Sequence, residues 1–144
     1  MDKKTSVNII FYLDGTLVDD NYQLFPIAKE ILYYLHKIEV PIYIASFNED
    51  AHKILERNGI DFIVKCVAGY NGGKRLHKNQ FLNELGVDKD ISIFFDDEIA
   101  NCKNCNDHGW KTVHVKNPYT GVTWEVITPF IDVAWSVSSK SADS

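Results

Sequence analysis

The sequence predicts an α/β protein: one doubly wound domain on a five-stranded, mostly parallel sheet, with no cap domain. Three observations predict it. Short apolar runs alternate with stretches of helical spacing along the chain. The connections between them are short. A chain of 144 residues is a natural length for one domain and can bury a real core.

The elements follow in order. Residues 7–12, "VNIIFY", are nearly continuous apolar chain and read as a strand buried on both faces. A polar turn region, 14–23, comes next. Pro26 stands where a helix can begin, and Ile27, Ile31, Leu32 and Leu35 follow at helical spacing. "PIYIA", 41–45, is the second strand. "SFNEDAHKILERNG" is the second helix, with Ile54 and Leu55 inward and Gly59 as its stop. "FIVKCV", 62–67, is the third strand. "KRLHKNQFLNELG" is the third helix, ended by Gly86. "ISIFF", 91–95, is the fourth strand, "DDEIANCKNCNDHG" the fourth helix and "KTVHV" the fifth strand. Residues 122–135 have helix-like spacing that Pro129 interrupts. The domain is expected over 1–135, and 136–144 is a small, polar, disordered tail.

Doubly wound sheets bind ligands at the carboxyl ends of their strands. Strand 1 ends at Tyr12 and Asp14, strand 2 at Ser46, and strand 4 at Asp96 and Asp97. Three carboxylates, a hydroxyl and a tyrosine therefore meet on one rim. Adjacent carboxylates suit a hard cation such as Mg²⁺. Asp14 can act as general acid or base. Ser46, with Asn48 two residues on, can donate to a phosphate, and Lys74 after "YNGG" can offset its charge. Each also has a structural reason to be there. Asp-Gly makes turns. Ser46 and Glu49 form a capping-box pattern. Asp96 and Asp97 suit a helix start, and Lys74 suits solvent.

Composition narrows the classes. The net charge of −5 lacks the basic excess of a nonspecific nucleic-acid binder. No apolar run approaches the ~20 residues that cross a membrane, and the N-terminal run is too short for a signal peptide. Three cysteines, an odd and sparse count, fit a reducing compartment and a cytoplasmic protein.

The motifs together resemble the haloacid dehalogenase superfamily, Mg²⁺-dependent phosphotransferases. "YLDGTL" at 12–17, "IYIAS" ending at Ser46, Lys74, and "IFFDDE" at 93–98 stand in the order of its four motifs. "FFDDE" followed by Asn101, then "GWKTVHVKN", and a Gly-Lys whose lysine lies 22 residues before Asp96, is most similar to the magnesium-dependent phosphatase-1 type. The resemblance spans about residues 7–120. It implies a Rossmann-like fold, Mg²⁺ held by Asp96, Asp97 and the Asp14 backbone carbonyl, and a phosphorylated substrate. Asp14 and Ser46 are 32 positions apart and Ser46 and Lys74 are 28 apart, so neither interval has room for a folded cap. By analogy with capless relatives, an open site suits macromolecular phosphates.

Tyr12 departs from the pattern. The resemblance implies an aspartate there that attacks phosphorus and also binds Mg²⁺, while Asp14 protonates the leaving group and then activates water. A phenol with an ordinary pKa near ~10 is neutral at pH 7 and is far longer than aspartate. Three readings stand: a phosphatase with impaired or altered catalysis; a pseudophosphatase that serves as a binding or scaffold module; or an active enzyme in which Tyr12 is an introduced change.

Other signals carry less. "CKNCNDH" lacks the second ligand pair of a structural zinc site, and Cys102 reads as a core residue on the Ile99 face. His36, His52 and His77 read as surface residues and His114 as structural. Trp110, Trp124, Trp135 and Phe130 read as packing residues, with a partner surface as the alternative.

Overall fold

The computed structural model describes residues 7–131 except Pro118. The domain end at 135, the tail at 136–144 and Trp135 lie outside the described residues. The elements are β1 (Asn8–Phe11), α1 (Pro26–Lys37), β2 (Ile42–Ser46), α2 (Ala51–Arg57), β3 (Lys65–Ala68), α3 (Lys78–Leu85), β4 (Ser92–Asp96), α4 (Ile99–Asp107), β5 (Lys111–His114) and α5 (Trp124–Ile127). Short 3-10 turns cover Lys89–Ile91 and Thr128–Phe130.

The sheet order is β3-β2-β1-β4-β5 and every pairing is parallel. A parallel pair needs a crossover, and helices supply each one. β1 is central, so both its faces are covered and its near-continuous apolar run is explained. Strand alternation splits the core in two. Ile9 and Phe11 join Ile44, Phe95 and the α1 residues Ala28, Ile31, Leu32 and Leu35 on one face. Ile10 joins Ala45, Phe94 and the α3 residues Phe81, Leu82 and Leu85 on the other, where Tyr12 also packs. No cap domain is inserted between these elements.

Several boundaries differ from the sequence reading, each for a local reason. α2 begins at Ala51, not Ser46, because two side-chain turns come first: Asn48 N–H donates to Ser46 Oγ (3.0 Å) and Asp50 N–H to Asn48 Oδ1 (2.8 Å). The expected Ser46–Glu49 capping box is not formed. α3 begins at Lys78, not Lys74. His77 is extended, and Gln80 Oε1 accepts the N–H groups of Leu76 and His77, both at 2.8 Å. Glu98, not Asp96 or Asp97, stands at the N-cap of α4. The third strand lies at Lys65–Ala68, shifted from the expected 62–67. Cys102 is buried as expected, but Ile99 is 67% exposed, so the two do not share a core face.

Candidate active site

Tyr12, Asp14, Ser46 and Asp96 sit at or just past the C-terminal ends of the three central strands. Asp14 stands in a tight turn. Gly15 N–H donates to Val18 O (2.9 Å), and Leu17 and Val18 N–H both donate to Leu13 O. Gly15 at φ +78° makes this turn possible and brings Asp97 close: a β-carbon there would lie 2.3 Å from Asp97 Oδ2. Thr16 Oγ1 donates to Asp97 Oδ1 (3.3 Å) and His114 Nε2 donates to the Asp97 carbonyl (3.0 Å). His114 thus ties β5 to the Asp97 backbone.

Asn48 Nδ2 donates to Asp14 Oδ2 at 3.4 Å. Asp14 Oδ1 is buried and has no hydrogen-bond partner among the described residues. Burial pushes the Asp14 carboxyl above the usual carboxylate range, against the opposing pull of Asn48 and Lys78. Burial also raises Asp97. Both are thus shifted towards carrying a proton, as a general acid requires.

Asp96 is fully buried. Its Oδ1 accepts Glu98 N–H (2.8 Å) and its Oδ2 accepts Asn101 Nδ2 (3.0 Å). Each of these oxygens accepts one hydrogen bond and keeps a second lone pair, and the two donors fix the carboxylate at the C-terminal end of β4.

The lysine buried beside Tyr12 and the end of β2 is Lys78, not the expected Lys74. Lys74 is exposed in the turn before α3. Lys78, four residues on, is only 1% exposed. Its Nζ donates to Ala45 O (3.1 Å) and lies over three rings: Phe47 (3.9 Å to the ring centre), Tyr12 (4.1 Å) and Phe81 (4.7 Å). Burial pulls its ammonium down and pushes Asp96 up, while the two charges favour each other's ionised form. The ring faces and carbonyl suit a cation rather than a neutral amine, so we assign the charged ammonium, with Asp96 as a nearby counter-charge. The sequence held the clue: Lys78 lies at i, i+3, i+4 and i+7 spacing with Phe81, Leu82 and Leu85, a lysine on an apolar stripe.

Tyr12 follows Ile10 on the α3 face of the sheet. Its ring covers Lys78 and meets Phe47 edge-on, with centres 6.3 Å apart. Burial, then the charges of Asp96, Asp14 and Asp97, raise the phenol further. It stays neutral at physiological pH and is a poor nucleophile.

A cleft of about 510 Å³ opens beside Tyr12, lined by Asp14, Gly15, Asp19, Asp20, Phe25, Asp97, Glu98 and Tyr119. A larger cleft of about 840 Å³ lies between α2 and the start of β3. Size does not mark the site here, because the carboxylates converge only on the smaller cleft.

The donor set fits Mg²⁺ in part. Among the described residues no three His, Cys, Asp or Glu side chains form a ready cage. Mg²⁺ ordinarily takes only one or two protein carboxylates and completes its shell with water and phosphate. Asp97 and the partnerless Asp14 oxygen meet that need. Position 12 does not, and Asp96 is buried and does not line the cleft.

The zinc pattern at Cys102 and Cys105 stays unassembled. Both are buried free thiols, and the Cys102 thiol donates to Asp96 O at 3.7 Å. Trp110 is a core residue, and Phe130 packs on Phe95 at 5.8 Å. His36 stacks on Phe62 at 4.3 Å, while His52 and His77 are exposed.

This fold is that of the haloacid dehalogenase-like class. The chain resembles a haloacid dehalogenase-like hydrolase from Streptococcus pneumoniae (TM-score 0.69, 13% identity, 88% of this chain and 91% of that one). A haloacid dehalogenase-family enzyme from Bacteroides thetaiotaomicron, an aspartate-to-alanine variant in complex with magnesium and inorganic phosphate, has TM-score 0.64 at 15% identity (83% and 97%). An uncharacterized protein from Corynebacterium glutamicum has TM-score 0.62 at 19% identity (85% and 93%). The chain belongs to the acid phosphatase family, whose model matches residues 15–134. That match begins immediately after Asp14. Fold and family make it a phosphatase-type protein. No helix among the described residues is long and apolar enough to cross a membrane.

Proposed function

We propose that the chain is a phosphatase scaffold that binds phosphomonoesters at its C-terminal rim, with covalent phosphoryl transfer disabled at position 12. The observation that carries this reading is the Tyr12 ring on Lys78, 4.1 Å from its Nζ. A neutral aromatic ring stands where the chemistry needs an anionic oxygen about 3–3.5 Å from phosphorus. Ser46 and Asn48 orient the phosphate, and Lys78 takes the electrostatic part first expected of Lys74. Asp14 is the acid/base group. Mg²⁺, held by Asp97 with Asp14, would neutralise phosphate charge and polarise its oxygens. Free cysteines agree with a reducing, cytoplasmic setting. The open rim, with no cap above it, suits phosphate groups carried on large partners.

One observation favours a second reading, slow hydrolysis. Asp14 is raised by burial and held by Asn48, as a residue that activates water should be.

The test is hydrolysis of p-nitrophenyl phosphate with Mg²⁺ by the chain and by Tyr12→Asp. We expect the variant to exceed the parent by at least about 10³-fold, the scale of losing a nucleophile. Robust turnover by the parent would overturn the proposal. Weak parental turnover abolished by Asp14→Asn would establish the second reading instead.

A further inference from the structure

We propose that the chain pairs with a second copy of itself, through antiparallel alignment of residues 61–65, "DFIVK", at the β3 edge of the sheet. β3 closes that edge and pairs only with β2, so no strand of this chain lies on its outer side. An open edge offers unpaired backbone groups to another strand. The opening extends ahead of β3. Val64 N–H donates inward to Ile42 O (2.9 Å), but Asp61, Phe62 and Ile63 make no backbone hydrogen bond among the described residues. The five residues complement their own reverse. In an antiparallel pair centred on Ile63, Asp61 faces Lys65 of the other copy, Phe62 faces Val64, and the two Ile63 residues face each other. Each copy supplies both halves of the match, so the contact is two-fold and closes at two chains.

Charge selects a second copy as the occupant. Two acid–lysine pairs flank an apolar centre in this register. A slip of one residue turns every side chain to the other face. A slip of two sets each Lys65 opposite Ile63 or Gly59, and its charge goes unanswered. The side chains are placed for the pairing. Asp61 and Lys65 are exposed, and Val64 is 59% exposed. Asp61 forms no ion pair among the described residues. Lys65 Nζ gives one of its three N–H groups to Glu84 O (2.9 Å), which leaves two. Phe62 is braced by His36, stacked 4.3 Å away, and by Tyr33, edge-on at 5.3 Å, so the segment is ordered before it pairs. The cleft of about 840 Å³ beside this edge carries both signs of charge, Lys53 and Lys65 with Glu56 and Asp61, as a self-complementary surface requires. The opposite edge, β5, reads "KTVH" and has no acid to answer its lysine.

Sedimentation equilibrium of the full chain, from micromolar to near-millimolar concentration, tests this. The mass should rise with concentration from 16.5 kDa towards twice that value. Asp61→Lys and Lys65→Asp should each weaken association by about tenfold or more, because each turns two attractive pairs into two repulsive ones. The double variant Asp61→Lys/Lys65→Asp restores both pairs in reverse and should recover most of the parent's affinity. The two single variants, each monomeric alone, should associate when mixed, since their charges then match across the contact. Melting curves check that every variant folds. A parent that stays monomeric at every concentration overturns the inference. So does a dimer that the single variants leave unchanged, or single variants that fail to associate on mixing while the double variant also stays monomeric.

Discussion

Tyr12 and Lys78 are one unit in the structure although 66 positions separate them. A buried ammonium needs a counter-charge and soft contacts, and Asp96, Ala45 O and three rings provide them. Removing one member of such a pair leaves the other buried and uncompensated. Lys78→Met should therefore destabilise the fold by about 3 kcal/mol in urea unfolding. The double variant Lys78→Met/Asp96→Asn should recover at least half of that loss. A double variant no more stable than Lys78→Met would show that the two charges do not support each other. The residues at strand ends were legible in the sequence, because apolar runs stop at them. A Gly-Lys pair points to Lys74, whereas the sign of a buried lysine is a charge on an apolar helical stripe, which is where Lys78 stands.

At the scale of elements, alternation of apolar and helical stretches predicts the five strands and the helices α1 to α4, while 122–135 stays undecided and the starts of α2, α3 and α4 are displaced. Side-chain turns explain the displacement. Ser46 and Asn48 make successive turns before α2, and Gln80 reaches back to hold the chain ahead of α3. Each keeps a polar segment at the rim rather than in a helix. α3 carries the consequence: its start places Lys78 at the site and Phe81 beneath Phe47. Phe81 is fully buried. Phe81→Ala should cost about 3–5 kcal/mol, whereas Phe81→Leu should cost less than about 2 kcal/mol. A similar loss for both in chemical denaturation would mean that the ring's edge-on contact, rather than its volume, dominates.

For the molecule as a whole, the rim is a concentration of carboxylates that folding partly dehydrates. Asp14 and Asp97 are both raised from 3.8, with burial the leading cause. A carboxyl raised on folding takes up protons as the chain folds, so stability falls as pH rises from the ordinary carboxylate value through the raised one. Both groups are half-buried, and solvent screening keeps the effect modest. The melting temperature should decline over that interval, and Asp14→Asn should flatten the decline. Mg²⁺ should restore stability mainly at the upper end, where the carboxylates are ionised. A melting temperature that rises through the interval would contradict the assignment.

By itself, the sequence determined the α/β class, the absence of a cap, the order of the motifs and the chemical anomaly at position 12. These depend on local periodicity, spacing and residue identity, which need no knowledge of distant neighbours. Only the tertiary structure decided that Lys78 is buried while Lys74 is exposed, that Asp97 and not Asp96 lines the cleft, and that the Tyr12 ring covers the buried ammonium. Those outcomes depend on helix starts set by side-chain turns. They also depend on burial, which arises only when α3 and α4 close over the sheet and remove the water that would otherwise solvate each charge.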